Sequence, residues 1–164
     1  MEKIDWNKQV KEALERTHFM ALSTVGKDGV WTCPVFFSYD NKLNLYFKSI
    51  PTSKHMQNIM QNPELSLAIF STTRLPEGDV VGLQIKGVAK ILKTREEVDA
   101  AAKINYARSR PEIDYKTKVD EHLGENAVWN FVKITPIEAW YFDTRFFDEE
   151  KDGRQKVPLE KLNL

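Results

Sequence analysis

The stretch Phe19-Met20-Ala21-Leu22-Ser23-Thr24-Val25-Gly26-Lys27-Asp28-Gly29-Val30-Trp31-Thr32-Cys33-Pro34-Val35-Phe36 decides how the chain folds. In its first part Phe19, Ala21, Ser23 and Val25 fall on one side, and Met20, Leu22 and Thr24 on the other. That alternation predicts a strand, with apolar residues enough to bury both faces. Gly26-Lys27-Asp28-Gly29 predicts a hairpin turn, its glycines supplying positive φ. A second strand runs from Val30 to Tyr39, and Pro34, lacking an N–H, marks it as an edge or a bulged strand.

Outward from this hairpin, Asp40-Asn41-Lys42 reads as another turn before the alternating run Leu43 to Lys48, which makes a three-stranded meander. Met56, Ile59 and Met60 recur at helical spacing after Thr52 or Ser53 as N-cap, and Asn62-Pro63 ends that helix. Leu65, Leu67 and Ile69 form a fourth strand; a loop with Pro76 and Gly78 leads to a long strand, Val80 to Leu92, bent or bulged at Gly87. Thr94 and Glu97 make a capping box for a helix reaching about Ala107. Arg110-Pro111 breaks it, a short helix follows over 112–124, and Ala127–Ile134 with Ile137–Phe142 reads as one bent strand closing the sheet. Ile4, Trp6, Val10, Ala13 and Leu14 predict an amphipathic helix within residues 1–17, and 143–164 reads as an exposed, charged tail. The expected fold is mainly β: a six-stranded antiparallel split β-barrel of Greek-key type with peripheral helices, in a single domain spanning 1–164.

Composition narrows the function. Lys and Arg number 24 and so do Asp and Glu, giving a net charge of +0, without the basic surplus of a nucleic-acid binder. A single cysteine, Cys33, excludes an intrachain disulfide and a thiolate cluster, and His18, His55 and His122 match no metal-ligand spacing. Neither a signal-peptide pattern nor an apolar run of the ~20 residues a membrane span requires is found, so a cytoplasmic protein is expected.

Chemistry concentrates in Phe47-Lys48-Ser49-Ile50-Pro51-Thr52-Ser53-Lys54-His55. A strand delivers the chain to a helix N-terminus, whose free N–H groups attract anions. Thr52 and Ser53 add hydroxyls, and Lys54 and His55 add fixed and titratable charge. An ordinary N-cap with solvated basic side chains fits the same residues, and local sequence leaves both open. The aromatic residues Trp31, Phe36, Phe37, Tyr46, Phe47, Trp129, Trp140, Tyr141, Phe142, Phe146 and Phe147 cannot all face inward, so either a partner subunit or a flat ligand covers the outer ones, or the set is core with tryptophan at its rim. Gln84 offers a donor and an acceptor on its strand; Cys33 reads as an inert thiol, and His18 and His122 as structural.

The ordered set Ala21–Val25, Asp28-Gly29, Cys33–Phe37, Leu45–Phe47, Ser53–His55, Asn62–Leu67 and Leu83–Ala89 resembles the pyridoxamine 5′-phosphate oxidase-like family of FMN-binding split barrels, with Tyr106, Arg108 and Pro111 continuing the likeness more loosely. The resemblance implies a homodimer with FMN between subunits and a flavin-dependent oxidoreductase, with NADH or NADPH as a candidate reductant. It assigns Ser53, Lys54 and His55 to the FMN phosphate, and the backbone of Thr32, Cys33, Pro34, Val35, Phe36 and Phe37 to the ring and ribityl chain. Phe47, Lys48 and Ser49 lie beneath the flavin, Gln84 at its polar edge, and Trp129, Trp140 and Phe146 approach from the second subunit. The C-terminus lacks the Arg and His cluster of true pyridoxamine phosphate oxidases, leaving Arg145 and Arg154 on that side and the substrate unassigned. A non-catalytic flavin carrier or sensor, and a barrel binding haem or a deazaflavin, are the alternatives. No catalytic acid or base is identified, and no metal site.

Overall fold

The computed structural model describes residues 4–71, 80–144 and 153–164, which leaves the Pro76–Gly78 loop, Arg145, Phe146 and Phe147 outside the described residues. Helix α1 (Trp6–Glu15) begins at Asp5, whose side chain accepts from the Lys8 N–H, and it buries Val10, Ala13 and Leu14. Strands β1 (Phe19–Gly26) and β2 (Gly29–Phe36) form the expected hairpin, Gly26 pairing with Gly29. Of these two glycines, Gly29 takes positive φ (+100°) and Gly26 does not; a Cβ at Gly26 would instead meet Asn58 Oδ1 at 2.1 Å.

β2 is an edge strand, as Pro34 requires. Phe37 then ends the pairing, and β3 (Ser38–Tyr39) pairs with β4 (Leu45–Ser49) through a turn that the Asp40 carboxylate braces by accepting from the Lys42 and Asn44 N–H groups. The expected second strand is therefore divided at Phe37: its last two residues pair with β4 as the meander requires, and β4 pairs on its other side with β7 (Asn130–Asp143). With β5 (Glu64–Phe70) and β6 (Val81–Ile91), the order is β2-β1-β5-β6-β7-β4-β3. Seven strands lie on this path, rather than six, and its two ends are consecutive in the chain, so the sheet curls into a split barrel. Gly87 marks the expected irregularity, a register shift after Lys86 opposite the bend at Pro136.

Helix α2 (Lys54–Gln61) packs on β1, where Asn58 Nδ2 donates to Thr24 Oγ1 at 3.1 Å. Helix α3 (Arg95–Ser109) carries the predicted capping box, and residues 115–122 form a 3-10 helix. Two apolar layers result. The barrel interior joins Leu22, Phe37, Phe47, Ile69, Leu83, Ile134 and Tyr141, while Val98, Ala101, Ala102, Tyr106 and Val119 pack on Tyr46 and Phe131 outside β4 and β7.

The C-terminal segment is not an exposed tail. β8 (Gln155–Lys156) pairs with β7, Val157 and Leu162 are buried, and the Leu164 N–H donates to Asn41. The second face of β1 is likewise not covered: Phe19, Val25, Val30 and Phe70 are exposed on the outer side of β1, β2 and β5. No helix among the described residues is long and apolar enough to cross a membrane.

Candidate functional site

Strand β4 alternates sides, and its last residues serve two neighbouring sites. Leu45, Phe47 and Ser49 face inward, while Tyr46 and Lys48 face α3. Ser49 meets the start of α2. Its Oγ lies 2.8 Å from His55 Nε2 and 3.2 Å from Ser53 Oγ, and Ser53 Oγ is 3.3 Å from the same imidazole nitrogen. Ser53 is the N-cap residue, yet its hydroxyl makes no capping bond. That corrects the expectation of a side-chain cap and leaves first-turn N–H groups of α2 without a side-chain acceptor.

His55 Nδ1 lies 3.4 Å from Cys33 Sγ, tying α2 to the edge strand. Burial pushes the His55 imidazole down, which favours its neutral form, and pushes the Cys33 thiol up. Lys54 forms an ion pair with Asp28 of the β1–β2 turn, and that pairing holds the Asp28 carboxyl below its ordinary value. Two hydroxyls and an imidazole therefore meet at a helix N-terminus whose first residue is Lys54, a donor set suited to a phosphate.

Lys48 meets the second site, a cavity of about 470 Å³ bounded by β4, α3 and the 3-10 helix. Phe36 and Trp129 give it aromatic walls; Asn105, Arg110, Lys118 and Glu121 reach it from the helices. Lys48 Nζ donates to Tyr106 Oη at 3.1 Å, and Tyr106 Oη is 3.2 Å from His122 Nε2. His122 Nδ1 lies 3.0 Å from the Trp129 carbonyl. His122, read from the sequence as structural, is buried and belongs to a polar chain beside this cavity. The signal lay in Tyr106 and His122 themselves, polar aromatic residues in an otherwise apolar helical layer, but their partners are distant in sequence.

The remaining candidates fall on the outer sheet face. Pairing runs from Pro34 to Ala21, Ala68, Gln84 and Trp140 in one row across five strands, and Thr32 follows Ser23, Ser66, Lys86 and Glu138 in the next. Gln84 accepts from Arg154 at 3.1 Å, and the Trp140 indole N–H donates to Glu138. Three strand spacings, about 14 Å, separate Pro34 from Gln84 within one protomer. Gln84 and Trp140 therefore do not join the α2 terminus in a single chain. Phe37 and Phe47 have 0% exposure, so they offer a ligand backbone only, and Val35 is buried beside them.

The sequence model of the family described as pyridoxamine 5′-phosphate oxidase matches residues 6–140. Curated proteins give no match. Among solved structures, a haem-binding protein from Mycobacterium smegmatis is similar at TM-score 0.72 and 12% identity over 98% of this chain, which spans only 60% of that protein's length. A FAD-binding protein from Mesorhizobium loti is similar at TM-score 0.64 and 13% identity, covering 83% of this chain and 91% of its own. General stress protein 26 from Bacillus anthracis aligns at TM-score 0.59 and 18% identity over 85% of this chain and 95% of its own. At such identities the likeness is one of fold.

Proposed function

Because the chain belongs to the pyridoxamine 5′-phosphate oxidase family, we propose that it binds FMN and works as a flavin-dependent oxidoreductase, with the flavin at the seam of a homodimer. The observation that carries this reading is the convergence of the Ser49 and Ser53 hydroxyls on His55 at the start of α2. With Lys54 and the open N–H groups, those residues hold a phosphate. The backbone from Thr32 to Phe37 follows along the ring system, and Lys48 places a cation beside it. FMN, when bound, supplies the two-electron chemistry. The chain's own residues orient it, balance negative charge through Lys48, and admit a substrate to the neighbouring cavity.

The exposed face with Phe19, Val30 and Phe70 supports the dimer, since an apolar patch of this kind is covered in a stable assembly. A second copy packed there brings its own Gln84 and Trp140 towards the first protomer's site, and Trp129, 40% exposed, stands at the cavity rim. A haem reading has one specific support: His18 is exposed and stacked on Phe36 at 6.1 Å, an imidazole available for an iron, whereas His55 and His122 use both ring nitrogens internally. Absorption spectra of the purified protein after exposure to FMN, a deazaflavin or haemin, with sedimentation to read assembly, separate the readings. Bound FMN in a dimer is expected, and haem binding that excludes FMN overturns the assignment. Stopped-flow mixing with NADH and NADPH then tests turnover; failure with both reductants moves the account to a flavin carrier or sensor.

A further inference from the structure

Cys33, Ser49, Ser53 and His55 meet between β2, the end of β4 and the start of α2, and each side chain carries a hydrogen that can be shared. The contacts of His55 decide where those hydrogens point. Its Nδ1 lies 3.4 Å from Cys33 Sγ, and its Nε2 lies 2.8 Å from Ser49 Oγ and 3.3 Å from Ser53 Oγ. A neutral imidazole donates at one nitrogen and accepts at the other. Sulfur is a weak acceptor, whereas a hydroxyl oxygen is a good one. The ring hydrogen therefore belongs on Nε2, facing the two oxygens. Nδ1 is then bare, and the Cys33 S–H is the hydrogen that fills it.

With Nε2–H as donor, neither serine has to give its own hydrogen to the imidazole. In the opposite tautomer Nε2 would take a hydrogen from Ser49 or Ser53, and the thiol hydrogen would lose Nδ1 as its acceptor.

We propose that Cys33 is a positioning residue: its S–H donates to His55 Nδ1, holds the ring as the Nε2–H tautomer, and so leaves the Ser49 and Ser53 hydrogens for a phosphoryl group, whose oxygens only accept. The last step rests on the flavin reading, which supplies the phosphate; the tautomer does not depend on it.

The surroundings support this order. Burial pushes the Cys33 thiol up, which keeps its hydrogen on sulfur at neutral pH, and pushes the His55 imidazole down, which keeps a single hydrogen on the ring. The Phe47 ring packs on the imidazole with centroids 6.0 Å apart. Ser53 Oγ makes no capping bond, so the first-turn N–H groups of α2 stand beside the two hydroxyls. The terminus then presents donors alone, a set that takes a phosphate monoester and discriminates against an amide or an amine, which bring donors of their own. The thiol that reads from the sequence as inert is unreactive and still has a task.

Two measurements on the full-length protein without ligand test the tautomer. Cys33 is the single cysteine, so its S–H stretch gives one infrared band. That band is expected at lower frequency in the folded protein than in urea, and nitrogen NMR of the His55 ring is expected to show Nε2–H. Titrations with FMN and riboflavin then test the effect on the phosphate. Cys33→Ala is expected to mix the His55 tautomers and to weaken FMN binding by about five- to tenfold, the worth of one neutral hydrogen bond, with riboflavin binding unchanged. Cys33→Ser keeps a donor at that position and is expected to recover most of the loss. An Nδ1–H tautomer in the unsubstituted protein, an S–H band at the frequency found in urea, or an unchanged tautomer and FMN-to-riboflavin ratio in Cys33→Ala each overturns the proposal. The first two readings need no substitution, and they keep the two accounts apart. Absent FMN binding beside the expected tautomer and S–H band contradicts the flavin reading alone, and FMN binding beside an Nδ1–H tautomer contradicts only the role of the thiol.

Discussion

His55 Nε2 lies 2.8 Å from Ser49 Oγ, and Ser49 directly follows Lys48, so a single strand end supplies both the α2 terminus and the cavity. The two sites are thereby held in fixed register by the pairing of Lys48 with Phe131 and of Ser49 with Asn130.

The α2 terminus carries the first prediction. The double substitution Ser53→Ala/Lys54→Glu removes a hydroxyl and reverses a charge where the phosphate is assigned. FMN affinity, read by quenching of flavin fluorescence, is expected to fall by about tenfold or more, the equivalent of one charge-assisted hydrogen bond. Wild-type affinity in the double variant contradicts the assignment.

Lys48 carries the second. A reduced flavin is anionic, so an ammonium beside it favours reduction. Lys48→Met is expected to lower the two-electron midpoint potential of bound FMN by about 30 mV, the equivalent of one factor of ten in the redox equilibrium. An unchanged potential in a spectroelectrochemical titration removes Lys48 from this role.

Cys33 is expected to behave as a shielded thiol. Burial raises its pKa, which lowers the thiolate fraction at neutral pH. Its reaction with a disulfide reagent at pH 7.5 is expected to run about tenfold or more slower than in urea-unfolded protein, and to accelerate as pH rises. Equal rates in the two states contradict the burial of this thiol.

Arg108 fixes α1 to α3. Its guanidinium donates to the Leu14 and Thr17 carbonyls at 2.8 and 3.0 Å and to Glu15 at 3.0 Å, and it lies 5.2 Å from the ring centroids of both Phe37 and Tyr39. Arg108→Ala strands two carbonyls and is expected to cost about 2 to 4 kcal/mol in urea unfolding. Arg108→Lys recovers only part, because an ammonium lacks the planar fork. A loss within about 0.5 kcal/mol, typical of a surface substitution, would mean that the contact does not bear on stability.

Local features were legible in the sequence because their causes are local. Asp28-Gly29 makes its turn, Thr94 and Glu97 make their capping box, and Pro34 sits on an edge for reasons contained within a few residues. Long-range strand partnership was not legible. Leu45 pairs with Tyr39 across the local turn, but on its other side it pairs with Ile134, which no alternation near Leu45 indicates. The C-terminal segment misled through composition, since Val157 and Leu162 are buried while the charges between them stay in water. Ser53, Lys54 and His55 were readable as a group because they are contiguous. The chain through Lys48, Tyr106, His122 and Trp129 joins residues from β4, α3, the 3-10 helix and the approach to β7, and exists only after folding.

Parallel titrations of the purified protein with FMN and with riboflavin, which differ by the phosphate alone, address the α2 terminus most directly. FMN is expected to bind about tenfold or more tighter than riboflavin, a difference of at least 1.4 kcal/mol. Equal affinities, or no binding of either flavin, contradict it.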